Sequence, residues 1–115
     1  MTTYRATKPW QVHYTDPIRG AAGDRLILGR HDDEFPGWVW ATATDGREGW
    51  VPESRLRVEK ESAVLLCDYD ATELSIAPGD VVSGNLVESS WLWATNETGK
   101  KGWVPLDCLE RPTIE

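Results

Sequence analysis

Residues 38–56 read WVWATATDGREGWVPESRL, and residues 91–109 read WLWATNETGKKGWVPLDCL. Ten of these nineteen positions are identical at an offset of 53, among them Trp38/Trp91, Trp40/Trp93, Gly49/Gly102, Trp50/Trp103 and Pro52/Pro105, so the chain contains a duplication. Upstream, Gly23-Asp24 matches Gly79-Asp80 at an offset of 56. The first copy is therefore three residues longer, and the excess falls in the turn-rich stretch 30–37, RHDDEFPG. The 115 residues divide into expected domains 1–58 and 59–115, joined through the short charged stretch 58–62, VEKES.

Each copy reads as short strands, with no helical stripe in any window. Arg25-Leu-Ile-Leu and Asp80-Val-Val-Ser are β-prone runs that follow Gly-Asp turns. Residues 38–42 and 49–52 are two runs joined by Asp45-Gly46, a strong hairpin signal, and Thr98-Gly99 takes that place in the second copy. With the turn containing Asp45-Gly46, Trp40 is expected opposite Trp50 and Trp38 opposite Pro52. The same rule sets Trp93 opposite Trp103 and Trp91 opposite Pro105. Side chains alternate along a strand, so Val39, Ala41 and Val51 are expected inside and the Trp-Trp-Trp-Pro set outside, as an interaction surface. The expected fold class is all-β: two small barrels in tandem, about five short strands each.

Composition narrows the function. Twelve Lys and Arg against nineteen Asp and Glu give a net charge of −7, without the basic footprint that nucleic acid or an anionic membrane requires. On the expected division residues 1–58 are neutral and residues 59–115 carry the whole −7, so a basic partner is expected there. No apolar run approaches a membrane span, and residues 1–9 show no apolar signal core, so a cytoplasmic protein is expected. Two cysteines are too few for a disulfide framework or a four-Cys metal site. No spacing pairs an acid with a base or nucleophile, and there is no phosphate loop or metal-ligand cluster. The expectation is no enzyme, no cofactor and no metal. The acidic tip Asp32-Asp33-Glu34 reads as a solvated loop.

The second copy resembles a Src homology 3 (SH3) domain over residues 64–110. Leu65-Leu66-Cys67-Asp68-Tyr69 resembles the family's opening Ala-Leu-Tyr-Asp-Tyr motif. Glu73-Leu74-Ser75-Ile76 with Gly79-Asp80 resembles its diverging turn, Trp91 with Ala94 its groove tryptophan, and residues 102–109 its closing Gly-Tyr-Ile-Pro-Ser-Asn-Tyr-Val. The first copy, 10–57, is similar but divergent, with Trp10-Gln11-Val12-His13-Tyr14 in the opening position. The resemblance implies peptide binding, in which a polyproline II ligand docks on an aromatic groove and acidic residues pair a flanking base. The implied groove in the second copy is Cys67, Tyr69, Trp91, Pro105 and Cys108, with Asp70, Glu73 and Glu88 as acids. In the first copy it is Val12, Tyr14, Trp38, Pro52 and Arg55, with Asp16.

Where the family has two Tyr rings in the first proline pocket, this chain has Cys67 and Cys108, or Val12 and Arg55. The resemblance makes the two cysteines neighbours; they read as reduced thiols, with a disulfide as the alternative. The expected function is a non-catalytic adaptor that binds a basic or proline-containing protein or peptide, mainly through the second copy. The alternative is a structural or assembly module whose Trp faces are buried between domains or in an oligomer, with no working groove.

Overall fold

Alternating apolar and polar residues, broken by glycine turns, give twelve strands in the computed structural model, which describes residues 2–12 and 16–111. In chain order they are β1 (Thr2–Ala6), β2 (Arg19–Gly20), β3 (Arg25–His31), β4 (Trp38–Ala43), β5 (Glu48–Pro52) and β6 (Leu56–Glu59). There follow β7 (Ser62–Leu65), β8 (Tyr69–Asp70), β9 (Val81–Glu88), β10 (Trp91–Asn96), β11 (Lys101–Pro105) and β12 (Leu109–Glu110). Helix among the described residues is confined to two single 3-10 turns, Glu53–Arg55 and Leu106–Cys108, so the protein is all-β.

Both duplicated hairpins form in the expected register. Trp40 faces Trp50 and Trp38 faces Pro52 across β4 and β5, while Trp93 faces Trp103 and Trp91 faces Pro105 across β10 and β11. Each turn ends on a glycine with φ of 89°, Gly46 or Gly99, inside a backbone bond from Ala43 N–H to Arg47 or from Asn96 N–H to Lys100. That left-handed position is open to glycine without the steric cost other residues meet.

The two compact units differ from the expected domains. One is contiguous, residues 14–72; the other combines residues 1–13 with 73–115. The cause lies in residues 58–62, expected to be a linker. Glu59 and Ser62 are register partners, so only Lys60 and Glu61 turn the chain, and β7 must lie antiparallel to β6. Strand β7 thereby joins the body of the first copy, giving a five-stranded sheet in the order β5-β4-β3-β7-β6. The body of the second copy loses the strand that precedes it in sequence and takes β1 instead, in the order β11-β10-β9-β1-β12.

The exchange is equivalent bond for bond. The Gly79-Asp80 turn is held by Ala6, through Gly79 N–H to Ala6 O (2.8 Å) and Ala6 N–H to Asp80 O (2.8 Å). The Gly23-Asp24 turn is held in the same way by Leu65, at 2.8 and 2.9 Å. Thr7 N–H donates to Cys108 O as Leu66 N–H donates to Arg55 O. The opening strands of the duplicated units have traded bodies.

Burial follows the exchange. In the unit completed by β1, Ala6 packs with Leu74, Ile76, Val82, Leu92, Ala94, Val104 and Cys108. In the 14–72 unit the buried set includes Ile18, Leu26, Val39, Ala41, Val51, Leu56, Ala63 and Leu65. Val39, Ala41 and Val51 are inside as expected. The outward Trp-Trp-Trp-Pro set is corrected: Trp38, Trp91 and Trp103 are 3%, 7% and 3% exposed, Pro52 and Pro105 are fully buried, and only Trp40, Trp50 and Trp93 are half-buried. Indole rings carry too much apolar area to stay solvated when neighbours are in reach, and here they pack edge-on. Trp40 meets Trp50 at 5.1 Å and Trp93 meets Trp103 at 5.3 Å between centroids.

The charge is redistributed too. The 14–72 unit holds twelve carboxylates and seven bases, net −5, and the other unit is left with −2. Four of the eleven carboxylates of residues 59–115, Glu59, Glu61, Asp68 and Asp70, fall in the 14–72 unit, while Arg5 and Lys8 fall with residues 1–13 in the other, so the larger share of the net charge lies in the 14–72 unit.

Candidate functional site

In the unit of residues 1–13 and 73–115, the antiparallel register brings Trp91 on β10 opposite Pro105 on β11. Trp10 arrives from the N-terminal segment, held by reciprocal backbone bonds with Ile76 (3.0 and 2.9 Å). Its ring meets Trp91 edge-on, 5.1 Å between centroids and 87° between planes. The Trp10 indole N–H donates to Glu73 Oε1 at 3.0 Å. Trp10 and Glu73 are both half-buried, so an aromatic surface and a carboxylate stand side by side at the rim. Glu88, the register partner of Trp91 on β9, is half-buried as well. Cys108 is buried, with Sγ 3.9 Å from Pro9 O. Burial pushes its thiol up from the ordinary value, against the nearby Lys8 charge and with help from Asp107.

In the 14–72 unit, Trp38 on β4 lies opposite Pro52 on β5. The Tyr69 hydroxyl on β8 donates to Trp50 O at 2.8 Å. Cys67 is half-buried, and its sulfur accepts from the Arg55 guanidinium at 3.2 Å. Asp70 accepts from Thr72 N–H (2.9 Å) and Thr72 Oγ1 (2.6 Å) and pairs with Arg19 at 3.4 Å. Asp16 pairs with Arg47 at 3.3 Å. Both acids are thus engaged by cations of their own unit. Arg30 lies over the Trp50 ring, 5.2 Å from its centroid, and Trp40 Nε1 donates to Glu48 at 2.9 Å.

The groove expected in the second copy is therefore divided. Tyr69, Asp70 and Cys67 fall in one unit with Trp38, Pro52 and Arg55, while Trp91, Pro105, Glu73 and Cys108 fall in the other with Trp10. Both cysteines are free thiols, in different units. Tyr14, expected in the first copy's groove, lies outside the described residues. Trp10 pairs with Ile76 as Tyr69 pairs with Gly20, so Trp10 is the equivalent of Tyr69. Val12, expected in the first copy's groove, instead donates its N–H to Ser75 Oγ at 3.0 Å, in the unit of Trp91. The signal was there in the spacing, since Ala6 to Trp10 runs parallel to Leu65 to Tyr69, but those two stretches share no residue.

The loop Asp32-Asp33-Glu34 has a local structural role at one acid, because Asp32 Oδ1 accepts from the backbone N–H of Glu34 and Phe35. No group of three or more His, Cys, Asp or Glu among the described residues is arranged to hold a metal ion. No helix among the described residues is long and apolar enough to cross a membrane. Comparison with protein-family models and with curated proteins finds no match for this sequence.

Proposed function

We propose that the chain is a non-catalytic, SH3-like protein-interaction module that recognises a proline-containing, basic peptide segment through the half-buried rim of Trp10 and Glu73, which is backed by the buried Trp91. The observation that carries this reading is the Trp10–Glu73 pair. A half-buried indole offers the flat face on which a polyproline II ligand packs, and the carboxylate bonded to it answers a flanking Arg or Lys. Glu88 adds a second carboxylate on the neighbouring strand. The reading includes a cytoplasmic protein with reduced thiols.

The test is titration of the full chain with a peptide carrying two Pro-x-x-Pro turns and a terminal Arg. Wild type is expected to bind, and Trp10→Ala to bind at least about tenfold more weakly, or roughly 1.4 kcal/mol. A thermal melt confirms that the variant folds. Equal binding by both proteins would remove Trp10 from the site.

The near-complete burial of Trp38 and Trp91 favours a second reading, a structural or assembly module with no working groove. Absence of any peptide binding by wild type, together with resistance of tryptophan fluorescence to acrylamide, would select it.

A further inference from the structure

We propose that the peptide taken by the Trp10–Glu73 rim carries an acidic residue as well as its base, and that Lys8 is the residue that selects it. This deepens the peptide-binding reading and rests on it. The two charges of the rim stand at different points along β11. Glu73 is bridged to Trp103 in the middle of that strand. Lys8 lies past the strand's end, where its backbone N–H reaches Cys108 O at 3.4 Å. Trp10 links them, since its backbone follows Lys8 by two residues and its indole N–H ends on Glu73 Oε1.

The duplicate unit shows what is unusual about Lys8. Thr7 N–H donates to Cys108 O as Leu66 N–H donates to Arg55 O, so Lys8 is the equivalent of Cys67 and Cys108 the equivalent of Arg55. Each unit therefore holds one cation and one thiol at this place, with the suppliers reversed. In the 14–72 unit the cation comes from the 3-10 turn, is half-buried, and donates to Cys67 Sγ at 3.2 Å. In the other unit it comes from the opening segment and is exposed, and the Lys8 ammonium forms no ion pair among the described residues. The neighbouring thiol does not neutralise it, because burial holds Cys108 in its protonated form. Asp107, on the same turn, is exposed and does not pair with Lys8. An exposed, unpaired ammonium beside an indole favours a carboxylate on the ligand and disfavours a second base. Two residues of extended chain, about 7 Å, separate Lys8 from Trp10, and the indole carries the span on to Glu73. The acid is therefore expected about four polyproline II residues from the base, at about 3.1 Å each.

The experiment titrates the full chain at low salt with two capped peptides of Pro and Ala that end in Arg. One carries Asp four positions from the Arg, and the other carries Asn there. Wild type is expected to bind the Asp peptide about threefold more tightly or better, a preference that fades at high salt. Lys8→Gln should abolish the preference and leave the affinity for the Asn peptide unchanged, and Lys8→Glu should reverse it. Equal binding of both peptides by wild type overturns this proposal and leaves the peptide-binding reading standing. A preference that survives in Lys8→Gln overturns the assignment to Lys8. Failure of wild type to bind either peptide overturns the peptide-binding reading and this proposal with it.

Discussion

A β-carbon on Gly102 would lie 2.7 Å from the carbonyl carbon of Glu73 and from the amide nitrogen of Leu74. Its duplicate Gly49 is less confined, with Ala71 Cβ at 3.1 Å and the Ile18 Cγ2 methyl and backbone nitrogen at 3.3 Å. The backbone cannot yield as a methyl can, so Gly102→Ala is expected to cost about 1–3 kcal/mol and Gly49→Ala clearly less, read from denaturant midpoints. A second contrast concerns the thiols. Cys108 is buried and its ionisation is suppressed by that burial, whereas Cys67 is half-buried beside Arg55. A thiol reagent at neutral pH should label Cys67 well ahead of Cys108 in the folded protein. Equal rates would contradict the packing of the 3-10 turn Leu106–Cys108. At this scale the sequence was readable where residues repeat, as at Gly49/Gly102 and Pro52/Pro105. It was not readable at Trp10, whose equivalence to Tyr69 rests on backbone pairing and not on residue identity.

The registers of the β4–β5 and β10–β11 hairpins are legible in the sequence, because each pair of runs is joined by a short loop closed by a glycine, residues 44–46 and 97–99. Turns without glycine are not. Glu88 and Trp91 are register partners, so Ser89 and Ser90 alone connect β9 to β10, with φ of 44° and 74°. Two successive positive φ values define a turn that favours Asn-Gly, and serine pays a steric cost there. Ser89→Asn with Ser90→Gly should stabilise the protein by about 1 kcal/mol in a thermal or denaturant melt. A loss of stability would show that this connection is not the two-residue turn described. Lys60, with φ of 60°, raises the same issue in the β6–β7 turn. Lys60→Gly should be neutral to stabilising and should leave the fold unchanged. The faces of the strands were legible only in part. Alternation correctly places Val39, Ala41 and Val51 inside, but it has no way to register that Trp10 arrives from outside the hairpin to cover Trp91.

At the scale of the chain, a duplication is plain in the sequence and the exchange of strands is hidden in a two-residue count. Residues 58–62 carry no Pro or Gly and look like a charged linker, yet the Glu59–Ser62 pairing makes them a tight hairpin. That one turn moves β7 and β8 into the 14–72 unit, carries Asp68 and Asp70 with them, and leaves the second body to be closed by β1. The site residues expected to stand together are divided for the same reason. Leu65, 2% exposed, therefore belongs to the core of the 14–72 unit. Leu65→Ala should cost about 2–5 kcal/mol in the unfolding of that unit, followed through amides of β3 and β4. The most direct test of the exchange is a set of cross-strand nuclear Overhauser contacts in the isotope-labelled protein. The account predicts Tyr4 against Val82 and Ala63 against Leu26. Contacts of Tyr4 with Leu26 and of Ala63 with Val82 would contradict it, since they are the pairings of two copies that kept their own strands.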